Sequence, residues 1–410
     1  MSEVTYSIFL VDEDPLAVKV MTSLLEASGN RISSSTDSKN AIDTILRLKP
    51  DCVICETIMP GIDGFQLCKI VTEHPELTNT KFIMVSAKVY EFDQKRSFTF
   101  GAHGYIRKPI NPETFSEQIS RILDDRIDIR FWGVRGTLPV CGEHALKYGG
   151  NTSCISLEFP RQQLFVFDGG SGIKTLGNWL ISQKRQNIHA KILISHPHWD
   201  HINAIPFFAP LYQQGNEFEI LGSNQGDSTM RELISAQMDG VYFPITLAAF
   251  AARTYFRDLT EENIVLNDIE VKTMLLSHPG KCLGYRVNYN GRSVCYITDN
   301  EMFLENSDFY SSHYENKLED FCRNTDVLIT DSTYTDDEYK TKVGWGHSCV
   351  SKVVNLAHNA NVKSLYLFHH DPDQTDNDID FKLEYATNLL AKRNSNTEVI
   401  APCEGQCINI

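Results

Sequence analysis

The stretch His196-Pro-His198-Trp-Asp200-His201 places three imidazoles and one carboxylate within six residues. It follows directly on Lys191–Ser195, a largely apolar run that is typical of a buried strand. The spacing lets His196 and His198 face one ion while Asp200 and His201, a turn further on, face a second. Imidazole and carboxylate ligands together suit Zn, Mn or Fe. The stretch therefore predicts a metal site at the end of a strand, with ligands for two ions.

Further candidate ligands follow later apolar runs. His278 lies in Leu-Ser-His-Pro-Gly, Asp299 in Ile-Thr-Asp-Asn-Glu and His369 in Leu-Phe-His-His-Asp-Pro. Any one of these is more often a cap or a hydrogen-bonding residue than a metal ligand. Together with the first stretch they form a set of strand-end ligands that chance explains poorly, so we predict that they share one metal centre.

Arg130–Ile410 resembles the metallo-β-lactamase fold superfamily, whose His-x-His-x-Asp-His signature the first stretch matches. Further motifs resemble a phosphodiesterase-like branch: Phe131-Trp-Gly-Val-Arg-Gly-Thr137, Tyr148-Gly-Gly-Asn-Thr152, Asp168-Gly-Gly-Ser-Gly172, Gly344-Trp-Gly-His-Ser348 and Phe368-His-His-Asp-Pro372. The resemblance implies an αββα sandwich, which we expect to occupy residues 126–410.

The resemblance also assigns the ligands to two divalent ions. One ion takes His196, His198 and His278, the other takes Asp200, His201 and His369, with His370 as a lesser alternative to His369, and Asp299 bridges the pair. Two such ions, about 3.5–4 Å apart, lower the pKa of bound water toward about 7. The implied reaction is attack by a metal-bridging hydroxide, with Asp200 and His347 as catalytic residues. Asp168, in a glycine-rich turn, would orient a ligand histidine.

Two features favour a phosphodiester substrate. Lactamase-type members usually have a cysteine ligand at the second metal, whereas Asp299 occupies the corresponding place here. Gly346-His347-Ser348 matches an element of phosphodiesterase-like members, and its histidine would protonate the leaving oxygen. Arg135 is either a phosphate contact or a structural residue. We predict a phosphodiesterase acting on a small phosphoester, with nucleotide-like molecules among the candidates. Two alternative functions remain. One is a hydrolase of a thioester, lactone or lactam, and the other is a non-catalytic metal-based sensor or adaptor in two-component signalling.

The composition is that of a globular protein. The 410 residues suffice for two or three domains, and 42% hydrophobic with 22% charged residues excludes a disordered or fibrous chain. With 38 basic and 53 acidic residues the net charge is −15, which argues against a broad nucleic-acid surface or an anionic membrane as partner. No apolar run approaches the length of a membrane-spanning helix. The eleven scattered cysteines fit a reducing compartment, so we expect a cytoplasmic protein.

Residues 1–125 alternate strand and helix patterns, which predicts a doubly wound parallel sheet of five strands. The predicted strands include Ser7–Val11, Asp51–Cys55, Lys81–Val85 and Gly104–Ile106. In such sheets the functional crevice lies at the carboxyl ends of the strands. The residues just past those ends are Asp12, Glu13, Asp14, Glu56, Ser86 and Lys108. Several acids, a hydroxyl and one lysine are therefore expected at one edge.

Ser7–Leu123 resembles a response-regulator receiver domain. Asp12-Glu13-Asp14 matches its acidic Mg²⁺ pocket, Ser86 its hydroxyl switch residue and Lys108-Pro109 its phosphate-contacting lysine, so the resemblance implies Mg²⁺ in this pocket. The place of the phosphoacceptor aspartate, at the end of Asp51-Cys-Val-Ile-Cys-Glu56, is held by glutamate. The sequence thus indicates a degenerate receiver joined to the metal-binding domain.

The extra methylene of Glu56 moves its carboxylate by about 1.5 Å, and misplacement on this scale costs about 100-fold in rate. We therefore predict that Glu56 is phosphorylated poorly or not at all. Either Glu56 extends charge toward Lys108 and Ser86 and holds an active-like state, or the domain is an inert docking or dimerisation module. The second is favoured because one carboxylate carries less charge than a phosphate. A homodimer and a signalling protein partner are the expected interactions.

Overall fold

The computed structural model describes residues 5–87, 91–241 and 243–410. The chain divides into two compact units. The first is Met1–Ile127 together with Glu158–Gln163, and the second is Asp128–Leu157 together with Leu164–Ile410. Across the described residues, the helices are too short or too polar to cross a membrane.

The first unit is built on a five-stranded parallel sheet. Its strands are β1 (Ser7–Val11), β2 (Arg31–Ser35), β3 (Cys52–Cys55), β4 (Lys81–Ser86) and β5 (Gly104–Arg107). Its helices are α1 (Pro15–Ala27), α2 (Ala41–Leu48), α3 (Gly64–Glu73), α4 (Glu91–Thr99) and α5 (Phe115–Asp124). The strand order is β2-β1-β3-β4-β5 and each neighbouring pair is parallel. The predicted doubly wound architecture is confirmed.

Helices cover both faces of this sheet, because alternate residues of each central strand point to opposite sides. Phe9 and Val11 of β1 join a core with α2 and α3. Ile8 and Leu10 join a second core with α1 and α5. Both faces of the strand are buried, which explains why β1 is continuously apolar.

The second unit contains two seven-stranded sheets. Its strands are β6 (Asp128–Gly133), β7 (Cys154–Glu158), β8 (Leu164–Phe167), β9 (His189–Ile194), β10 (Glu217–Ser223), β11 (Arg253–Leu259), β12 (Asn263–Leu266), β13 (Ile269–Leu275), β14 (Leu283–Tyr289), β15 (Arg292–Ile297), β16 (Val327–Asp331), β17 (Ser364–Phe368), β18 (Glu398–Ile400) and β19 (Cys407–Asn409). The first sheet has the order β11-β10-β9-β8-β7-β6-β19 and the second runs β12 to β18 in sequence order. The second sheet is antiparallel from β12 to β15 and parallel from β15 to β18.

The two sheets of this unit pack face to face through an aromatic layer. Phe167 of β8 contacts Tyr285 of β14 and Tyr296 of β15, with ring centroids 5.6 and 5.4 Å apart. Phe131 of β6 stacks on Tyr366 of β17 at 5.4 Å. The helices are α6 (Gly172–Ser182), α7 (Trp199–Ile202), α8 (Met230–Ala236), α9 (Ser312–Cys322), α10 (Asp336–Tyr339), α11 (Val350–Asn359) and α12 (Asp376–Lys392). With α6 and α8 on the first sheet and α9, α11 and α12 on the second, the expected αββα sandwich is confirmed.

Candidate metal centre and receiver pocket

The candidate metal centre begins where β9 ends. The buried residues Ile192–Ile194 anchor β9 in the core and fix the position of His196 just beyond it. His198 follows in an extended conformation and precedes the short helix α7, which carries Asp200 and His201. The turn into α7 therefore aims the four side chains of this stretch toward one region.

Three groups of side chains offer ligand atoms that all lie within 4.8 Å of one another, and the third, Asp331, His347 and His369, shares His369 with the second. The first group is His196, His198, His278 and Asp299, and the second is Asp200, His201, Asp299 and His369. These two groups contain the residues that were predicted from the sequence to bind two ions. The fold brings His278, Asp299 and His369 to this edge because they follow β13, β15 and β17.

Asp299 belongs to both groups and presents a different oxygen to each. Its Oδ2 lies 3.6 Å from Nε2 of His196 and 3.7 Å from Nε2 of His278. Its Oδ1 lies 3.2 Å from Nε2 of His201 and 3.1 Å from Nε2 of His369. A carboxylate in this position would present one oxygen to each of two ions.

Several features of these residues fit divalent cations. The Nε2 atoms of His196 and His201 are buried and lack a well-aligned hydrogen bond, although Oδ2 of Asp299 lies 3.6 Å from the first and Oδ2 of Asp200 lies 3.0 Å from the second. Asp299 and His369 have φ values of 46° and 59°, a strained conformation for residues other than glycine. At Gly136 a Cβ would lie 2.2 Å from the His369 ring, so only glycine leaves room for this side chain. Nitrogen and oxygen donors of this kind suit Zn, Mn and Fe.

Asp168 supports the second group through a hydrogen bond to His201 on the side away from the ligand cluster. Its Oδ2 accepts a hydrogen bond from Nδ1 of His201 at 2.8 Å, which leaves Nε2 of His201 to face the cluster. The same carboxylate accepts from the hydroxyls of Ser195 and Tyr296 at 2.9 and 2.7 Å. Asp168 is fully buried, so these donors satisfy it and fix its orientation. This contact is the one expected of a residue that orients a ligand histidine.

The charges of the centre are strongly coupled. Burial opposes ionisation of Asp299, but the neighbouring His369 and His201 outweigh burial and hold the pKa of Asp299 well below its ordinary value. Burial also disfavours the charged form of His201, yet Asp200 and Asp299 raise its pKa well above the usual range. At His196 burial dominates and lowers the pKa. The carboxylates are therefore ionised and available as ligands.

His347 lies beside both groups of ligands. Its ring is 5.0 Å from that of His369 and 5.4 Å from that of His278. Nδ1 of His347 bonds Oδ2 of Asp331 at 2.8 Å. Burial lowers the pKa of His347, but the charge of Asp331 outweighs burial and raises that pKa to about 9. The imidazole is therefore oriented and keeps its proton at neutral pH.

Asp331 is a functional residue that was not among those predicted from the sequence. The available signal was an aspartate at the end of the apolar strand Val327–Asp331, the pattern that drew attention to Asp299. Asp331 also accepts from the backbone nitrogen of Thr333 at 2.9 Å, and the hydroxyl of Thr333 lies 2.7 Å from both Oδ1 of Asp331 and the backbone oxygen of His369, so it can donate to either. Asp331 thus supports His347 and the strand end that carries His369.

Glu301 is a second residue that was not among those predicted from the sequence. Its carboxylate accepts hydrogen bonds from the backbone nitrogens of Gly344 and Gly346, each at 2.7 Å, and from the hydroxyl of Tyr339 at 2.7 Å. Glu301 is buried. These contacts fix the loop that leads into His347.

The roles of Arg135 and His370 were undecided from the sequence, and both residues make structural contacts. The guanidinium of Arg135 is fully buried and donates to the backbone oxygens of Gly149 and Gln374, at 3.0 and 2.6 Å. Arg135 therefore holds loops together, and a role in phosphate contact has no support. His370 accepts from the buried side-chain nitrogen of Lys382 at 2.9 Å through Nδ1 and lies in none of the ligand groups.

The receiver pocket of the first unit is closed by one lysine. Nζ of Lys108 lies 2.6 Å from Oδ2 of Asp12 and 2.7 Å from Oε2 of Glu56. The other oxygen of Glu56 accepts from the backbone nitrogen and hydroxyl of Thr57, at 2.7 and 2.8 Å. The hydroxyl of Thr57 also bonds the hydroxyl of Ser86. Glu13, the other predicted pocket residue, is exposed.

The charges in this pocket favour an ionised Glu56. Burial raises its pKa, but the hydrogen bonds from Lys108 and Ser86 outweigh burial, so the pKa of Glu56 is lowered. Burial lowers the pKa of Lys108, whereas its bonds to Asp12 and Glu56 raise it, with a net upward shift. The four predicted residues Asp12, Glu56, Ser86 and Lys108 therefore form one connected network.

Two family models match this chain. Residues 8–120 match the response regulator receiver domain, and residues 168–370 match the β-lactamase superfamily domain. The chain therefore combines a response-regulator receiver domain with a metallo-β-lactamase-fold domain. The superfamily match supports a hydrolase in general and implies divalent metal ions.

Individual proteins are similar to one or the other part. Protein PilH of Pseudomonas aeruginosa is 29% identical over 116 residues, which cover 28% of this chain and 96% of PilH. The polar-differentiation response regulator DivK of Brucella anthropi is 29% identical over 119 residues, or 29% of this chain and 97% of DivK. The crystal structure of the metallo-β-lactamase fold protein YhfI from Bacillus subtilis is similar with a TM-score of 0.51 and 17% identity, covering 70% of this chain and all of YhfI. The likeness to YhfI shows the fold.

Proposed function

We propose that the second unit is a dinuclear metal-dependent phosphodiesterase. The two groups of ligands that share Asp299 would hold two divalent cations, with Zn, Mn and Fe as the candidates. Such cations supply Lewis acidity, which polarises a phosphoryl oxygen and makes water nucleophilic near neutral pH. The residues of the chain position these groups and handle the proton of the leaving oxygen.

His347 is the residue we assign to the leaving group. Its Nδ1 is engaged by Asp331, so the proton to be given away lies on Nε2. Its raised pKa keeps that proton at neutral pH, which a general acid requires. Phosphodiesters with alkoxide leaving groups need such a proton, whereas thioesters release a thiolate that is stable without one. The His347–Asp331 pair beside both ligand groups is the observation that carries the phosphodiesterase proposal.

A metal inventory followed by a substrate panel tests this function. Protein purified without added metal is measured for bound metals, then loaded with Mn, Zn or Fe and offered bis-p-nitrophenyl phosphate, a thioester and a lactone. We expect diester hydrolysis that is lost in His196→Ala and retained in His313→Ala, which removes an exposed histidine on α9. Turnover of only the thioester or the lactone would favour the alternative hydrolase. If none of the substrates is turned over with any of the three metals, the non-catalytic sensor or adaptor becomes the favoured interpretation.

For the first unit, we propose a role without phosphotransfer, in regulation or dimerisation. Lys108 already bridges Asp12 and Glu56, so the carboxylates that would hold Mg²⁺ and accept a phosphoryl group are paired with an internal cation. Incubation with acyl phosphate and Mg²⁺ is expected to give no phosphoprotein. Sedimentation of the full chain and of a Lys108→Ala variant would show whether the network supports a dimer.

A further inference from the structure

Three large apolar side chains beside the metal centre are exposed. Leu138, Trp199 and Trp345 are 58%, 79% and 61% exposed. Each is the direct sequence neighbour of a residue in contact with the ligand groups. Thr137 donates its backbone N–H to Asp200 at 2.8 Å, and the carbonyl of Gly346 accepts from Nδ1 of His278 at 2.9 Å.

The positions of the two tryptophans are fixed by the centre itself. Trp199 lies between the candidate ligands His198 and Asp200 at the start of α7. Trp345 lies between Gly344 and Gly346, whose backbone nitrogens are both held by Glu301. The backbone that carries each exposed indole is therefore held in place by the residues of the metal centre or by Glu301.

Gly346 itself ties Trp345 to the metal centre. It has a φ of +88°, and a Cβ there would lie 2.4 Å from Nδ1 of His278. The glycine thus permits a close approach between the Trp345 loop and a candidate ligand.

The other two tryptophans of the chain, Trp132 and Trp179, pack against each other. Trp132 is only 4% exposed, and its ring packs against that of Trp179 at 5.4 Å. Indole rings contribute large apolar areas, so leaving most of Trp199 and Trp345 in water forgoes stabilisation that burial would give. Nζ of Lys342 lies 5.6 Å from the ring centroid of Trp345, which leaves the opposite face of that ring for a ligand. A ligand that covers them at the metal centre would recover that stabilisation.

We propose that Trp199 and Trp345 form an aromatic rim that stacks on a planar substituent of the substrate. This inference rests on the proposed phosphodiesterase function and narrows its substrate class to phosphodiesters in which the group that stays on the phosphorus carries an aromatic or heterocyclic ring. The phosphate lies at the metal centre and the planar group lies against the indole faces. Stacking of a base on an aromatic side chain changes affinity by about 5- to 100-fold per base.

Two esters with the same leaving group test the rim. Thymidine 5′-(p-nitrophenyl phosphate) and methyl p-nitrophenyl phosphate differ only in the group that stays on the phosphorus. In the Trp199→Ala/Trp345→Ala double variant, the ratio of kcat/KM for the thymidine ester over the methyl ester should fall by about 5- to 100-fold. Trp→Phe variants should restore part of the ratio, and Tyr255→Ala, an exposed aromatic on β11, should leave it unchanged.

Tryptophan fluorescence provides a readout without turnover. Thymidine 5′-monophosphate should quench the emission of the full chain more than ribose 5-phosphate does, and the double variant should lose this difference. An unchanged ratio, or equal loss on both esters, overturns the rim, and so does equal quenching by the two phosphates. If neither ester is cleaved with any metal but the selective quenching is present and lost in the variant, the rim stands and the phosphodiesterase function fails.

Discussion

Removal of the His347 imidazole should separate substrates by their leaving groups. The ring lies 5.0 Å from His369 and 5.4 Å from His278, and Asp331 fixes it at 2.8 Å. General acid catalysis by a positioned side chain contributes about 10²- to 10⁴-fold, or about 2.7–5.5 kcal/mol in the barrier. We therefore expect His347→Ala to lower kcat on a diester with an alkoxide leaving group by that factor. On a p-nitrophenyl diester the loss should stay below about tenfold, because p-nitrophenolate departs without a proton.

Asp331→Asn should give a smaller loss of the same kind. The imidazole remains, but the carboxylate that raises its pKa to about 9 is gone. The proton of His347 is then lost at lower pH, so the descending limb of kcat for the alkoxide substrate should move to lower pH than in the wild type. The p-nitrophenyl substrate should show little of this pH shift, since its leaving group does not need the proton of His347.

The assay compares kcat for both diesters across pH in wild type, His347→Ala, Asp331→Asn and the control His313→Ala, with bound metal measured in each. The metal measurement matters because Asp331, His347 and His369 also have the spacing of metal ligands. Equal losses on the two diesters together with reduced metal content would show that His347 is a ligand. Unchanged rates on both diesters would refute any role of His347 in the reaction.

Three further predictions concern the support of the two sites. Asp168→Asn removes the acceptor of Nδ1 of His201 and should weaken metal affinity by about 10- to 100-fold in chelator competition, whereas unchanged affinity would refute its orienting role. Glu56→Gln should destabilise the receiver unit by about 1–3 kcal/mol at pH 7 in denaturant unfolding. Because the folded pKa of Glu56 is lowered, this difference should disappear as pH falls through that pKa, and persistence at low pH would contradict the ion pair with Lys108. Glu301→Gln should increase proteolysis within 340–347, and no increase would contradict its role in holding that loop.

Local patterns predicted most of the elements because burial leaves a clear signal. The central strands of the first unit are apolar throughout, since helices cover both of their faces. β2 gave the weakest signal because Arg-Ile-Ser-Ser-Ser is an edge strand with mostly exposed residues. The structural role of Arg135 had no local signal, because its partners Gly149 and Gln374 lie 14 and 239 residues away in the chain.

The sequence by itself determined which side chains stand at strand ends: His196 after β9, Asp299 after β15, His369 after β17 and Glu56 after β3. It did so because strands and their polar ends are encoded by neighbouring residues, and parallel strands bring such ends to a common edge. Only the tertiary structure decided how these groups pair. The two oxygens of Asp299 face different histidines, and Asp331 meets His347, because sheet order and loop closure set distances between residues that are remote in sequence. Side-chain contacts of this kind depend on the packing of whole layers, so no local pattern contains them.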